Sequence, residues 1–325
     1  MIWEKRFGRG TTLDYNRLDD SPESVWLQTS VPPSGLDFGD AYQTIDSECQ
    51  LQNKLKLYWS EHQTTQKEVT IVFIGDSVDA QLLDFACIEF KERKLKGWKA
   101  FVHSHHVINY CILPSGLKLV QIYLLRASHE ADHKVIQTLQ LFFEGDDSPA
   151  ERDFDGTNRS ALIGRLDEVK SIVHRRPDLI VMSSAYWSLH HFVGNHRAEV
   201  TPHLLPAEYV HHFVDTTSDL VFAARNAFPH SRFALHTSVE IRTSCEHGNN
   251  VGAENKRIWG KRSYVAQLNS ALRYVGQQKG VELVDYEVIS KAFQPSQLTA
   301  DDIHPHGWFG LEMLNLYLNM VYKNA

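Results

Sequence analysis

The sequence predicts an α/β fold in which a parallel sheet of about five strands is covered by helices on both faces. Short apolar runs that fit buried strands alternate with amphipathic stretches that fit helices, and this alternation repeats about five times. Strands that are apolar throughout, rather than at every second residue, are typical of a parallel sheet buried on both faces. The length of 325 residues is enough for a sizeable core.

Five segments carry the strand pattern. They are VTIVFIG (69–75), LKLVQIYLL (117–125), PDLIVMSS (177–184), SRFALHTS (231–238) and GVELVDYE (280–287). Helical patterns stand between them, such as LDEVKSIVHRR before the third strand and YVAQLNSALRYVGQQK before the fifth. Because ligands bind at the carboxyl ends of the strands in such sheets, the residues that follow each run are the candidates for a site.

The domain organisation follows from where this alternation begins. Residues 1–66 are mixed and turn-rich, and we expect an N-terminal extension packed on the domain, with a helix from Leu51 to Trp59. Residues 67–325 carry the alternation, and we expect them to form one domain that holds the functional site. Two stretches, 142–160 and 190–206, interrupt the pattern, and we expect them to be long insertions.

Composition excludes several classes of partner. The net charge of −7 argues against nucleic acid as a partner. No run approaches the roughly 18 apolar residues of a membrane span. The start, MIWEKRFGRGTTLDY, has no apolar signal core, so a cytoplasmic location is favoured. The four cysteines form no CxxC pair, and we expect them to be buried free thiols.

The first predicted strand ends in Gly75-Asp76-Ser77, and a helical pattern begins at the serine. Glycine permits the tight turn, and the helix amino terminus favours negative charge nearby. A nucleophilic serine at this position would present its own backbone N–H to a tetrahedral oxyanion. The alternative is that Asp76 or Ser77 only caps the helix. The stretch is neither G-x-S-x-G nor a P-loop.

A base for this serine is predicted near the C-terminus, in QLTADDIHPHGWFG. Asp301 and His304 are three residues apart, so on a turn or short helix they face the same way. A carboxylate that orients an imidazole, whose other nitrogen faces a serine, is the logic of a catalytic triad. Asp302 is the competing carboxylate, and His306 is a candidate for the rim of the site.

Taken together, these two motifs resemble the SGNH, or GDSL-type, hydrolase superfamily, and the resemblance covers about residues 67–325. The helix with Leu268-Asn269, followed by Gly280-Val281 and a last strand, adds to it. The resemblance implies a three-layer α/β/α sandwich with a flavodoxin-like sheet. It also implies Ser77 as nucleophile, with Asp301 and His304 completing the triad.

The sequence departs from that family at the third strand, where the usual Gly-x-Asn-Asp is replaced by Ala185-Tyr186-Trp187. A tryptophan here resembles the PC-esterase branch, which includes carbohydrate O-acetyl esterases and acetyltransferases. Trp187 could donate its indole N–H to the oxyanion, pack in the core or stack on a sugar. Arg126 follows the second strand, where the family's second oxyanion donor lies. His236, Thr237 and Glu240 follow the fourth strand, and we expect them at the crevice rim.

The functional prediction is a serine esterase that removes a small acyl group, with an O-acetylated carbohydrate as one candidate substrate. Gly75 and Asp76 belong to the predicted oxyanion and substrate side of the site. No cofactor and no metal are predicted. The alternatives are an O-acyltransferase with the same triad, an inactive binding protein of the same fold, and a metal-dependent phosphoesterase. The last would use Asp76, His236, Asp301 and His304.

Overall fold

The computed structural model describes residues 3–5, 42–44, 54–59, 67–92, 99–101, 108–112, 115–123, 158–183, 185–195, 204–239, 261–291, 298 and 303–322. Within these ranges a seven-stranded sheet forms the centre of the molecule. Its strands are β3 (Val69–Gly75), β4 (Lys99–Phe101), β5 (Ile108–Ile112), β6 (Leu117–Tyr123), β7 (Leu179–Met182), β8 (Arg232–His236) and β9 (Glu282–Val284). Outside it, β1 (Trp3–Lys5) and β2 (Tyr42–Thr44) form an antiparallel pair.

The spatial order of the sheet is β4-β5-β6-β3-β7-β8-β9. The five strands from β6 to β9 are parallel, and their order along the sheet, counted in chain order, is 2-1-3-4-5. This is the flavodoxin-like order, so the predicted fold class is confirmed. In this order the chain reverses direction across the sheet between β3 and β7, and a ligand crevice is expected at that point. The turn that follows β3 therefore lies where such folds place their sites.

All five predicted strands are present, and two further strands of the seven-stranded sheet were not predicted. The missed strands, β4 and β5, add to the sheet edge in antiparallel fashion. They have 3 and 5 residues, and β5 carries the polar residue Asn109. Neither is the continuous apolar run by which the parallel strands are found.

Helices cover both faces of the sheet. They are α1 (Leu55–Trp59), α2 (Ser77–Glu92), α3 (Asn158–Val173), α4 (Ala185–Asn195), α5 (Ala207–Ala227), α6 (Arg262–Lys279), α7 (Tyr286–Ser290) and α8 (Gly307–Tyr322). One layer holds α1, α2 and α8, and the other holds α3, α4, α5 and α6. Helix α4 runs through residues 190–195, so the predicted insertion at 190–206 is wrong for this part.

The close packing of α2 on α8 joins the beginning and the end of the part of the chain that carries the parallel strands. A Cβ atom on Gly307 would lie 3.0 Å from the Phe85 ring, and one on Gly310 would lie 3.5 Å from the Leu82 Cα. Glycine at position 307 therefore lets the helix that begins after His304 approach the helix that begins at Ser77, whereas a Cβ atom at position 310 would make an ordinary contact. This approach brings two motifs that are distant in sequence to one end of the sheet.

Two further features concern the same helix layer. Cys87 of α2 and Cys111 of β5 form a disulfide bond, with Cα atoms 6.0 Å apart. Both cysteines are buried as predicted, but the expectation of free thiols is wrong for this pair. The described part of the predicted N-terminal helix is α1, in which Leu55 and Tyr58 are fully buried. Among the described helices, none has the length and apolarity that crossing a membrane requires.

Candidate active site

Ser77 and His304 meet at the carboxyl end of β3. The Ser77 Oγ lies 2.8 Å from the His304 Nε2, although the residues are 227 positions apart. Ser77 is the first residue of α2, and His304 lies just before α8. A serine hydroxyl within hydrogen-bond distance of an imidazole nitrogen is the arrangement of a nucleophile and its general base.

The helix cap is provided by Asp76 and leaves Ser77 free for this contact. The Asp76 Oδ1 accepts a hydrogen bond of 2.9 Å from the Val78 backbone N–H. The Asp76 carbonyl accepts the first helical bond, from the Ala80 N–H. The two roles that the sequence left open are therefore divided between neighbouring residues, because Asp76 caps α2 while Ser77 faces the histidine.

Two buried polar side chains hold the Gly75 peptide in place. The Gly75 carbonyl accepts a 3.2 Å hydrogen bond from the Gln121 side-chain amide, and Asn109 in turn donates to Gln121 at 2.7 Å. Neither of these two amide side chains is exposed. They fix the orientation of the Gly75 peptide at the junction between β3 and α2. This pair could not be predicted from the sequence, because Asn109 and Gln121 lie on different strands and no motif links them.

A buried pair, Asp79 and His236, lies beside the same turn. The His236 Nε2 is 3.1 Å from one Asp79 carboxylate oxygen and 3.3 Å from the other. Their exposed fractions are 2% for His236 and 1% for Asp79, and Thr237 is fully buried. The prediction that His236 and Thr237 face the crevice rim is therefore wrong. The His236 side chain at the end of β8 points inward, because it contacts Asp79 in the first turn of α2.

The electrostatics of the turn centre on Asp76. The pKa of this carboxyl is raised to about 6, first by burial and then by the nearby Asp79 carboxylate. The hydrogen bond from Val78 and the charges of His236 and His304 act in the opposite direction. A buried acid that titrates near neutral pH next to a candidate base is typical of functional sites.

We expect this raised pKa to appear as a pH dependence of stability. Asp76 titrates near 3.8 when unfolded and at about 6 when folded, so its contribution is present below the unfolded pKa and lost as pH rises through the folded one. Between about pH 4 and pH 7 the wild type should lose about 2 kcal/mol of unfolding free energy relative to Asp76→Asn. Urea unfolding of both proteins at several pH values measures the difference.

The Asp76→Asn variant is a suitable reference because its amide oxygen can still cap α2. Carboxylates that do not interact with Asp76 titrate alike in both proteins, so their contributions cancel in the difference. Identical pH dependence in the two proteins would show that Asp76 ionises as an ordinary surface carboxyl does.

The segment around His304 is held by its own backbone. The His306 N–H donates to the Leu298 carbonyl at 2.8 Å, and the His306 carbonyl accepts from the N–H groups of Phe309 and Gly310. Ile303 is buried on one side of His304, and Pro305 is buried on the other. The flanking residues therefore anchor the loop while the His304 ring points to Ser77.

The remaining predicted site residues fall into two groups. Trp187 lies in the first turn of α4, after β7, and is partly exposed. Arg126, Asp301, Asp302 and Glu240 lie outside the described residues, so their roles stay predictions. Within the described ranges, no group of three or more His, Cys, Asp or Glu side chains is arranged to hold a metal ion.

The chain is similar to several solved structures at low identity. A lipase/acylhydrolase from Enterococcus faecalis is 13% identical, with a TM-score of 0.38 over 78% of this chain and 94% of that chain. A carbohydrate acetylesterase from Sinorhizobium meliloti is 10% identical, with a TM-score of 0.41 over 79% of this chain and 100% of that chain.

A carbohydrate esterase family 3 protein from Talaromyces cellulolyticus is 12% identical, with a TM-score of 0.41 over 79% of this chain and 99% of that chain. No family model matches the chain, and no curated protein matches it in sequence. At these identities and TM-scores the similarities carry no argument about the site or the substrate of this chain.

Proposed function

We propose that the protein is a serine esterase that cleaves a small acyl ester through an acyl-Ser77 intermediate. The observation that carries this proposal is the 2.8 Å contact between the Ser77 Oγ and the His304 Nε2. Its place supports the proposal, because the contact lies at the amino terminus of a helix and at the reversal point of the sheet.

In the first half-reaction the Ser77 Oγ attacks the ester carbonyl while the His304 Nε2 takes the hydroxyl proton. The oxyanion that forms lies near the amino terminus of α2, where the Ser77 backbone N–H is the candidate donor. Collapse of this intermediate breaks the ester bond, and His304 returns the proton to the leaving alcohol.

In the second half-reaction water attacks the acyl-Ser77 carbonyl, and His304 takes a proton from that water. The tetrahedral intermediate then releases the carboxylic acid, and Ser77 regains its proton from His304. A sugar hydroxyl in place of the water would make the same site an O-acyltransferase.

The roles of the other predicted residues are part of the proposal. Asp301 orients His304 from three residues upstream, as the motif resemblance implies. Arg126 and Trp187 contribute to the oxyanion site or to substrate binding, in place of the asparagine that the resemblance would lead one to expect. The N-terminal extension, residues 1–66, packs on the catalytic domain 67–325. The candidate substrate is an acetyl ester of a carbohydrate.

A panel of p-nitrophenyl esters of increasing acyl length tests the function. We expect hydrolysis of the acetyl ester, a fall in kcat/KM as the acyl chain lengthens, and no change with EDTA, because no step uses a metal. Release of acetate from acetylated sugars then tests the carbohydrate substrate. Loss of activity in EDTA would instead favour the metal-dependent phosphoesterase. Absence of hydrolysis with every ester, including acetylated sugars, would contradict the proposal.

A further inference from the structure

We propose that His236 and Asp79 form a buried imidazolium–carboxylate ion pair that positions the turn carrying Ser77. The positioning role rests on the proposed function, whereas the charge state of the pair does not. Both side chains are almost fully buried, so neither can touch a substrate. They are positioning residues rather than catalytic ones.

The hydrogen bonds of His236 determine its protonation. The ring Nδ1 is 3.0 Å from the Thr237 backbone carbonyl, which can only accept a hydrogen bond, so Nδ1 carries a proton. The Nε2 faces both carboxylate oxygens of Asp79, and an ionised carboxylate can also only accept. A ring with two acceptors carries two protons and a positive charge. The pair is therefore an ion pair whenever Asp79 is ionised.

The balance of electrostatic effects on the ring agrees with this assignment. Burial alone lowers the pKa of His236, but the charge and hydrogen bond of Asp79, together with the Thr237 carbonyl and the Asp76 carboxylate, raise it above the ordinary value. Among the described residues, the Tyr286 phenol is a further titratable group packed on the ring. Burial raises the pKa of that phenol well above its ordinary value, so Tyr286 stays neutral.

Asp79 fits directly against the turn that precedes Ser77. A Cβ atom on Gly75 would lie 1.6 Å from the Asp79 Oδ2, so the space left by the glycine is filled by this carboxylate. Asp79 is two residues after Ser77, in the first turn of α2. A shift of the Asp79 side chain would therefore displace the backbone both before and after Ser77.

His236 provides a rigid anchor for Asp79. It ends β8, which is two strands away from β3 in the sheet, so the ion pair spans the end of β7. Its ring stacks on Tyr286 at a centroid distance of 4.3 Å, and the Tyr286 hydroxyl bonds to that of Tyr317 at 2.6 Å. The pair thus connects the start of α2 to the end of β8.

The backbone next to His236 is fixed as well. The Thr237 hydroxyl donates to the Asp285 carboxylate at 2.8 Å, and Arg273 binds both oxygens of that carboxylate. The Ser238 N–H donates to the Asn269 side chain at 2.8 Å. The strand end that carries His236 is therefore held by α6 and by the start of α7.

The positive charge of the His236 ring also stabilises the two buried carboxylates of this turn, Asp76 and Asp79. Asp76 and Asp79 raise the free energy of each other's ionised form, and the His236 charge opposes this repulsion. Without the imidazolium, the turn would contain two buried carboxylates with less compensation, which favours protonation or displacement of one of them. Either change would disturb the cap of α2 and the position of Ser77.

The charge state is tested by NMR on protein with ¹⁵N-labelled histidine. We expect one ring that remains protonated at both nitrogens at about pH 8, above the ordinary histidine pKa. This signal should be missing in His236→Gln, which assigns it, and should change to a neutral ring in Asp79→Asn. A His236 ring that is neutral in the wild type at about pH 6 would overturn the ion pair.

The positioning role is tested by kinetics with p-nitrophenyl acetate. We expect Asp79→Asn and His236→Gln each to lower kcat about 10- to 100-fold, with KM changed less than about threefold, because a small displacement of a nucleophile acts on the chemical step. The double variant should lose no more than the worse single variant, since both changes break one pair. His236→Gln keeps a donor toward Asp79 and should therefore retain more activity than His236→Ala.

Tyr58→Phe is the matched control. The Tyr58 hydroxyl bonds to the Tyr322 hydroxyl at 2.7 Å and to the Lys67 carbonyl, close to the amino end of β3 and away from Ser77. The Tyr58→Phe substitution removes these hydrogen bonds without contacting the turn that carries Ser77. We therefore expect lower stability and an unchanged kcat. Equal losses of kcat in the control, or independent losses that multiply in the double variant, would overturn the positioning role.

The two proposals fail in different ways. A wild type without esterase activity would overturn the function, and the positioning role with it, whereas the ring spectrum would still decide the ion pair. An active wild type with a neutral His236 would overturn the ion pair and leave the function in place.

Discussion

Replacing Ser77 with alanine should lower kcat for p-nitrophenyl acetate by about 10⁴- to 10⁶-fold, the range found when a triad serine is removed. The hydroxyl that faces His304 at 2.8 Å is the proposed nucleophile, and alanine has no atom that can form the acyl intermediate. Steady-state hydrolysis, corrected for the spontaneous reaction of the ester, measures the loss.

The Ser77→Ala variant should remain folded, because Asp76 and not Ser77 caps α2. Its urea unfolding free energy should therefore stay within about 1 kcal/mol of the wild type. Ser270→Ala is a matched control, since the exposed Ser270 hydroxyl donates within its own helix, to the Ala266 carbonyl. Full activity in Ser77→Ala would contradict the assignment of the nucleophile.

Replacing His304 with glutamine should lower kcat by about 10³- to 10⁵-fold. Glutamine can hydrogen-bond to the Ser77 hydroxyl, but its amide cannot accept the proton that Ser77 must release. The remaining rate should rise with hydroxide concentration, because solvent base then replaces the imidazole. A pH–rate profile of the variant beside that of the wild type measures both effects.

His306→Gln provides the comparison for this variant. His306 lies two residues further along the same loop, and it is the backbone of His306 that bonds to Leu298, Phe309 and Gly310. A side-chain change there should leave kcat within about threefold, in line with the small effects of most changes outside a site. A large loss in His306→Gln together with an active His304→Gln would move the general base to the other histidine.

The fold could be predicted because its central parallel strands, β3 and β7, are buried along their whole length. Each of the seven residues of β3 is buried, which is the condition that produces a continuous apolar run. Strands β4 and β5, at one end of the sheet, were not predicted because short antiparallel strands of mixed polarity carry no such run. Sequence periodicity therefore finds the buried centre of a sheet more readily than its edge.

The Ser77–His304 contact could be predicted because each residue stands in a short motif with a chemical reason for its spacing. The His236–Asp79 pair could not, because its members are 157 positions apart and each has an ordinary local explanation. Asp79 fits the first turn of any helix, where acidic residues are favoured, and His236 fits the end of any strand. The two residues come into contact only because the fold places the end of β8 beside the start of α2.

The central claim is that the acyl group passes through Ser77, and trapping that intermediate tests it most directly. The protein is mixed with p-nitrophenyl acetate, quenched in acid during the first turnovers, digested and analysed by mass spectrometry. We predict one acetyl group on the peptide that contains Ser77, and none on this peptide in Ser77→Ala. Continued turnover with an unmodified Ser77 peptide, or an acetyl group on another residue that forms and decays with turnover, would contradict the account.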